Sequence, residues 1–293
     1  MHKVLLAVDG STASDEAARL IAHLPHPDRL DLMVLSVVQR PFVQGRIALN
    51  KFLQEAFEQE KAAAATICQQ VSGMFDGANA TVRCKVTEGN AGNAIVETAT
   101  EMGADLVVVG AVGKSQISRI LLGSVSDHVA THAQCSVLVV RPTGLSHSNK
   151  PIRVCLGYEG SSPARAAIDE VSEILWRTGT DFHVLTVAPQ LHVVFADIGE
   201  ETQSSRQYIA DLREAKTQLA EVAPEAIPHL IQSDHVGDGI VNFAEANEID
   251  LLVVGETPRD ALNRFVMGST SRYVLRHAPC SVWITRREWL SQH

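Results

Sequence analysis

Four residues carry the strongest chemical signal in this chain: Gly110, Gly113, Gly123 and Ser124. Gly110-Ala111-Val112-Gly113 follows a short apolar run ending at Val109, and nine residues separate Gly113 from Gly123-Ser124-Val125-Ser126. Glycine has no Cβ, so Gly110 and Gly113 permit positive φ and let main-chain N–H groups approach a polyphosphate. Gly123 and Ser124 are expected to open a helix, where unpaired N–H groups and the helix dipole favour an anion. The hydroxyls of Ser124 and Ser126 can add hydrogen bonds, and Lys114 and Arg119 in the intervening loop supply positive charge. Asp9, in Ala7-Val8-Asp9-Gly10-Ser11, places a carboxylate after the first apolar run.

The same pattern occurs again in damaged form. Gly255-Glu256-Thr257-Pro258 is followed, after the same interval, by Gly268-Ser269-Thr270-Ser271. Pro258 replaces the second glycine and can neither donate an N–H nor adopt positive φ. Glu256 adds negative charge beside the expected phosphate path, and Glu159 replaces Asp9. Phosphate binding is therefore expected in the first half and weak or absent in the second. Gly113-Lys114-Ser115 imitates the end of a P-loop, but Val108 stands where that motif requires a glycine.

The elements that must position these residues follow from the internal repeat. Val4 to Ser11 is echoed by Val154 to Ser161, 150 positions later. Asp105 to Gly110 matches Asp250 to Gly255, and His132 to Val137 matches His277 to Val282, both 145 apart. Short apolar runs alternate with long amphipathic segments, which predicts parallel strands joined by helices. Strands are expected near 3–9, 30–38, 80–87, 105–110 and 135–141, and again near 152–158, 181–188, 227–232, 250–255 and 281–286. Helices are expected near 13–23, 48–73, 91–102 and 123–132, with four more in the second half. The fold class is α/β: two tandem Rossmann-like domains, each a five-stranded parallel sheet flanked by helices. The boundaries are 1–143, a polar linker at 144–150, and 151–293. In such sheets ligands bind beyond the carboxyl ends of the strands, where strand order reverses.

Composition narrows the function classes. The formal net charge of −9 gives no general attraction to nucleic acid or anionic lipid. No apolar run reaches the roughly 20 residues of a membrane span, and the opening lacks a signal-peptide pattern, so a cytoplasmic protein is expected. Cys68, Cys84, Cys135, Cys155 and Cys280 are odd in number and form no Cys-x-x-Cys pair. They read as buried, reduced thiols, and neither they nor the twelve histidines suggest a metal site.

Gly-x2-Gly-x9-Gly-Ser, with Ala-Val-Asp-Gly-Ser at the end of the first strand, resembles the ATP-binding universal stress proteins, and the duplication resembles the two-domain members of that family. The resemblance implies an adenine nucleotide alpha hydrolase-like fold and a site for ATP, alone or with Mg²⁺. It implies that Val8 and Asp9 lie against adenine and ribose and that Val38 frames the base. Gly110, Gly113, Gly123, Ser124 and Val125 would hold the ribose and phosphates, beside Val109, Lys114 and Ser126. Ala111 and Val112 depart from the polar residues common in the family at those places. The family's dimerisation through fifth strands further implies an internal pseudo-dimer, and a homodimer of whole chains is a further expectation.

Each of these residues also has a plainer reading. Asp9 can instead be read as a helix cap or turn former, and Ser11 and Ser161 as helix caps. His132 and His277 close helices, and Lys51 to Gly73, with Phe52 and Phe57, is ordinary packing surface. Three functional classes follow: a nucleotide-dependent regulatory factor in stress response with unknown protein partners, a slow ATPase or self-phosphorylating enzyme, and an adaptor without a working nucleotide site. The first is the leading reading.

Overall fold

The computed structural model describes residues 2–24, 28–40, 47–113, 122–142, 151–174, 176, 179–189, 203–256 and 267–286. The chain divides into two compact units. One is built from residues 1–142 apart from 24–27 and 118–121, and the other contains Thr143–His293.

Unit 1 runs β1 (Lys3–Ala7), α1 (Thr12–His23), β2 (Leu30–Val38), α2 (Ile47–Gly73), β3 (Ala80–Glu88), α3 (Ala91–Met102), β4 (Leu106–Gly110), α4 (Ser124–His132) and β5 (Ser136–Val140). Its strands lie in the order β3-β2-β1-β4-β5 and every pairing is parallel. Leu106, Val107, Val108 and Val109 are all buried, as are Val137 to Val140. Such runs suit strands covered on both faces by helices. Burying each of these side chains contributes on the order of 1.5–3 kcal/mol. The order reverses between β1 and β4, so their carboxyl ends flank a crevice.

Unit 2 repeats the plan with β6 (Arg153–Gly157), α5 (Ser162–Ser172), β7 (Asp181–Pro189), α6 (Gln203–Gln218), β8 (Ile227–Ser233), α7 (Val236–Ala246), β9 (Leu251–Gly255), α8 (Ser269–His277) and β10 (Ser281–Thr285). Its order, β8-β7-β6-β9-β10, mirrors that of unit 1. The same device anchors both first strands. Asp105 Oδ2 accepts the backbone N–H groups of His2 and Lys3, and Asp250 Oδ2 accepts that of Arg153.

The caps follow the sequence logic. Ser11 Oγ accepts the N–H of Ser14, and Ser161 Oγ accepts that of Ala164. His132 and His277 bond through Nδ1 to the carbonyls of His128 and Tyr273, one turn back, as expected for helix closers. Two expectations fail. Phe52 is 67% exposed, because the buried stripe of α2 runs instead through Phe57, Ala64, Cys68 and Val71. Cys84 is exposed, on the outermost strand of its unit, where its thiol meets the Cys68 carbonyl at 3.4 Å; the other four thiols are buried.

Candidate functional site

The crevice of unit 1 is a cleft of about 350 Å³ at the carboxyl ends of β1, β2 and β4 and the start of α4. Val8 and Asp9 enter it from β1, Val109, Gly110 and Gly113 from β4, and Gly123, Ser124, Val125 and Ser126 from α4. Nine of the eleven predicted site residues are thus brought together. Of the other two, Lys114 lies outside the described residues, as does Arg119.

Val38 is turned the other way. It packs with Phe57 and Ala64 in a core cluster, while Leu35, Val37 and Gln39 face the cleft. Successive side chains of a strand point to opposite faces, so choosing Val38 over Val37 misplaced the wall by one residue.

The glycines differ from expectation in mechanism. Neither Gly110 nor Gly113 has positive φ; in the turn after β1 it is Gly10, at φ 75°, that does. A Cβ at Gly110 would lie 2.9 Å from the backbone of Ala13 and Ser14, so this glycine lets α1 approach the end of β4. A Cβ at Gly113 would lie 2.8 Å from Asp9 Oδ2. Gly113 therefore leaves room for the carboxylate whose other oxygen, Oδ1, accepts the Ser11 N–H at 3.0 Å. Asp9 is both turn former and cleft wall.

At the head of α4, Gly123 is the N-cap and no side chain caps the helix. Its own N–H donates to the Ala111 carbonyl at 2.7 Å. Ser126 Oγ is engaged with the carbonyls of Ala111 and Gly123, at 2.7 and 2.9 Å, so its hydroxyl braces the loop and does not extend to a ligand as expected. Ser124 is exposed at the rim. The N–H groups that open α4 thus face the cleft from a helix end with positive partial charge. Together with a wall of Leu35, Val37 and Val109, they suit a molecule with an apolar flat part and an anionic part.

Unit 2 keeps the cleft, at about 300 Å³, lined among others by Tyr158, Glu159, Leu185, Val187, Val254, Gly268 and Ser269. Tyr158 stands where unit 1 has Val8; burial pushes its hydroxyl above the ordinary value, and the charge of Glu214 adds to this. Gly255 repeats the close approach of Gly110, with a Cβ there 2.5 Å from the Pro163 carbonyl. Pro258 lies outside the described residues.

Glu256 departs from its expected place along a phosphate path. It is 4% exposed and turned beneath the start of α8, where Oε1 accepts the Gly268 N–H at 3.0 Å. Oε2 receives Arg286 Nε at 2.8 Å and Nη2 at 2.6 Å, and Arg286 is itself 2% exposed. Two guanidinium nitrogens thus converge on one carboxylate oxygen, and the pair is held firmly because neither partner has water to turn to. No sequence motif announced it, since the two residues are thirty positions apart.

Among the described residues no group of three or more histidine, cysteine or acidic side chains is placed to hold a metal ion. No described helix is long and apolar enough to cross a membrane.

Comparison with known proteins bears on the family and the fold. A universal stress protein of Methanocaldococcus jannaschii is 34% identical over 142 residues, covering 47% of this chain and 81% of that protein. A universal stress protein of Mycolicibacterium smegmatis is 24% identical over 297 residues, covering 97% of each chain. The crystal structure of a universal stress protein from Archaeoglobus fulgidus superposes with a TM-score of 0.67 at 19% identity, over 97% of this chain and 98% of that one, and shares its fold. The model of the universal stress protein family matches twice, over residues 1–141 and 152–286, and with two copies of its fold this chain belongs to that family.

Proposed function

We propose that the unit 1 cleft binds ATP and that the chain acts as a nucleotide-dependent regulatory factor. The observation that carries this reading is the uncapped start of α4 facing a cleft whose opposite wall is apolar. A polyphosphate suits the N–H groups of Ser124 and Val125, the adenine suits Leu35 and Val37, and the Asp9 carboxylate suits the ribose hydroxyls as acceptor. Gly113 supports the fit, because a side chain there would collide with Asp9. ATP, alone or with Mg²⁺, is the ligand class; unit 2 is expected to contribute little to its binding. Regulation follows if partner proteins discriminate the loaded from the empty form, since a ligand shifts a conformational equilibrium by its differential affinity for the two states.

The test uses Ser124→Pro. Proline is tolerated at the first position of a helix and removes one N–H from the cleft at little cost in stability. ATP affinity, measured by calorimetry on the full chain, should fall about tenfold or more. Ser269→Pro, the same change in unit 2, should leave it unaltered. Loss of affinity with Ser269→Pro alone would overturn the assignment.

A further inference from the structure

The two clefts correspond wall by wall on one side and differ on the other. Leu185 and Val187 of β7 take the places of Leu35 and Val37 of β2, and Val254 takes that of Val109. On α7, Val236 and Ile240 widen the apolar surface; Val236 stands where unit 1 has Ala91. The surface suited to a flat ring is thus retained and extended.

At the other side a carboxylate is already in place. In unit 1 the N–H of Gly123 is taken by a neutral carbonyl, Ala111 O. In unit 2 the equivalent N–H of Gly268 is taken by Glu256, a full negative charge at the positive end of α8. Arg286, the neighbouring cation, is engaged by the same carboxylate through two nitrogens. A phosphate arriving at α8 would therefore meet a helix end whose first N–H and dipole are already answered by a carboxylate, and a neighbouring arginine already engaged by that carboxylate. Glu159 at the rim takes the place of Asp9 and, like it, can accept hydrogen bonds from hydroxyl groups.

We propose that the unit 2 cleft binds an uncharged, nucleoside-like molecule: a flat apolar ring carrying hydroxyl groups and no phosphate. The inference rests on the reading of the unit 1 cleft as a nucleotide site, because it takes the retained wall as a ring-binding surface. Ring contacts fall to Leu185, Val187, Val236 and Ile240, and hydroxyl contacts to Glu159 and Ser269.

The experiment is methyl NMR on the full chain, with adenosine and ATP as separate probes. Adenosine should move the Val187 and Ile240 methyl resonances saturably. ATP should move Val37 first and should require at least about tenfold more ligand than adenosine to move Val187 and Ile240. Adenosine leaving Val187 and Ile240 unmoved up to its solubility limit would overturn the proposal, and so would ATP moving them as readily as adenosine. An ATP titration that leaves Val37 unmoved would instead break the reading of unit 1, on a different resonance. In Glu256→Gln the gap between the two probes at Val187 should narrow; an unchanged gap would remove the carboxylate as its cause. If that variant does not fold, the wild-type titrations alone decide.

Discussion

Positions 111 and 256 occupy the same place in the two units, directly after the fourth strand, and their neighbours Gly123 and Gly268 open the same helix. In unit 1 the backbone carbonyl of Ala111 accepts the Gly123 N–H, and in unit 2 the side chain of Glu256 accepts the Gly268 N–H. A buried N–H must be satisfied, and either group does so. What differs is charge: the first solution leaves the helix end attractive to an anion, the second supplies the anion from within. An arginine is buried at the same place in both units, Arg141 and Arg286, so it is the exchange of Ala111 for Glu256 that gives the two helix ends opposite character.

The largest expected effect comes from removing that internal anion. Glu256→Ala leaves Arg286 buried without its carboxylate, and unit 2 should lose about 3–5 kcal/mol of stability. All three tryptophans lie in the second half, so denaturant unfolding followed by tryptophan fluorescence reads unit 2. A loss below about 1 kcal/mol would mean that the other contacts of Arg286 hold its charge without Glu256.

Next is a paired glycine test. Alanine at Gly255 would place its Cβ 2.5 Å from the Pro163 carbonyl oxygen, whereas alanine at Gly110 would meet the α1 backbone at 2.9 Å. Both variants should destabilise, by about 1–3 kcal/mol, with Gly255→Ala the more severe. Hydrogen exchange resolved by unit would compare them, and the reverse order would show that α5 yields more easily than α1.

A smaller effect distinguishes the flanks of the two sheets. In unit 2, His183 Nδ1 lies 2.9 Å from His229 Nε2, and the rings stack beside Phe243. Unit 1 has Met33 and Lys85 at the equivalent places. Burial, with His183 nearby, holds the His229 imidazole below the ordinary 6.5. The unfolded chain therefore binds the proton more readily, and the stability this group contributes is present above pH 6.5 and lost as pH falls through its lowered native value. His229→Leu should flatten that part of the pH dependence of unit 2. His128, lowered by burial in unit 1, serves as the unaltered reference.

The smallest effect concerns the outermost strand of unit 1. Cys84 is exposed, whereas burial pushes the Cys68 thiol up to about 11. An alkylating reagent near pH 7.5 should label Cys84 well before Cys68, as read by peptide mass, without unfolding the protein. Equal labelling would show that α2 opens away from β3.

Much of this was legible in the sequence. The repeat, the ten strands and the place of the cleft followed from apolar periodicity and spacing, because parallel strands covered on both faces leave an unbroken apolar signature. Misreadings arose where three-dimensional direction decides. Val38 and Val37 are indistinguishable by composition and point to opposite faces. Ser126 carries a hydroxyl in the right place, but it turns to two carbonyls of its own loop. At Gly110 the spacing points to anion approach, whereas the missing Cβ admits α1; the two demands look the same in the sequence. The Glu256–Arg286 pair was invisible because spatial pairing across β9 and β10 leaves no local pattern.

The central claim, one nucleotide site confined to unit 1, is tested most directly by the stoichiometry of ATP binding to the full chain. Calorimetry should give one ATP per chain, strongly weakened in Ser124→Pro and retained in Ser269→Pro. Two equivalent sites per chain, or one that survives Ser124→Pro and is lost in Ser269→Pro, would contradict the account.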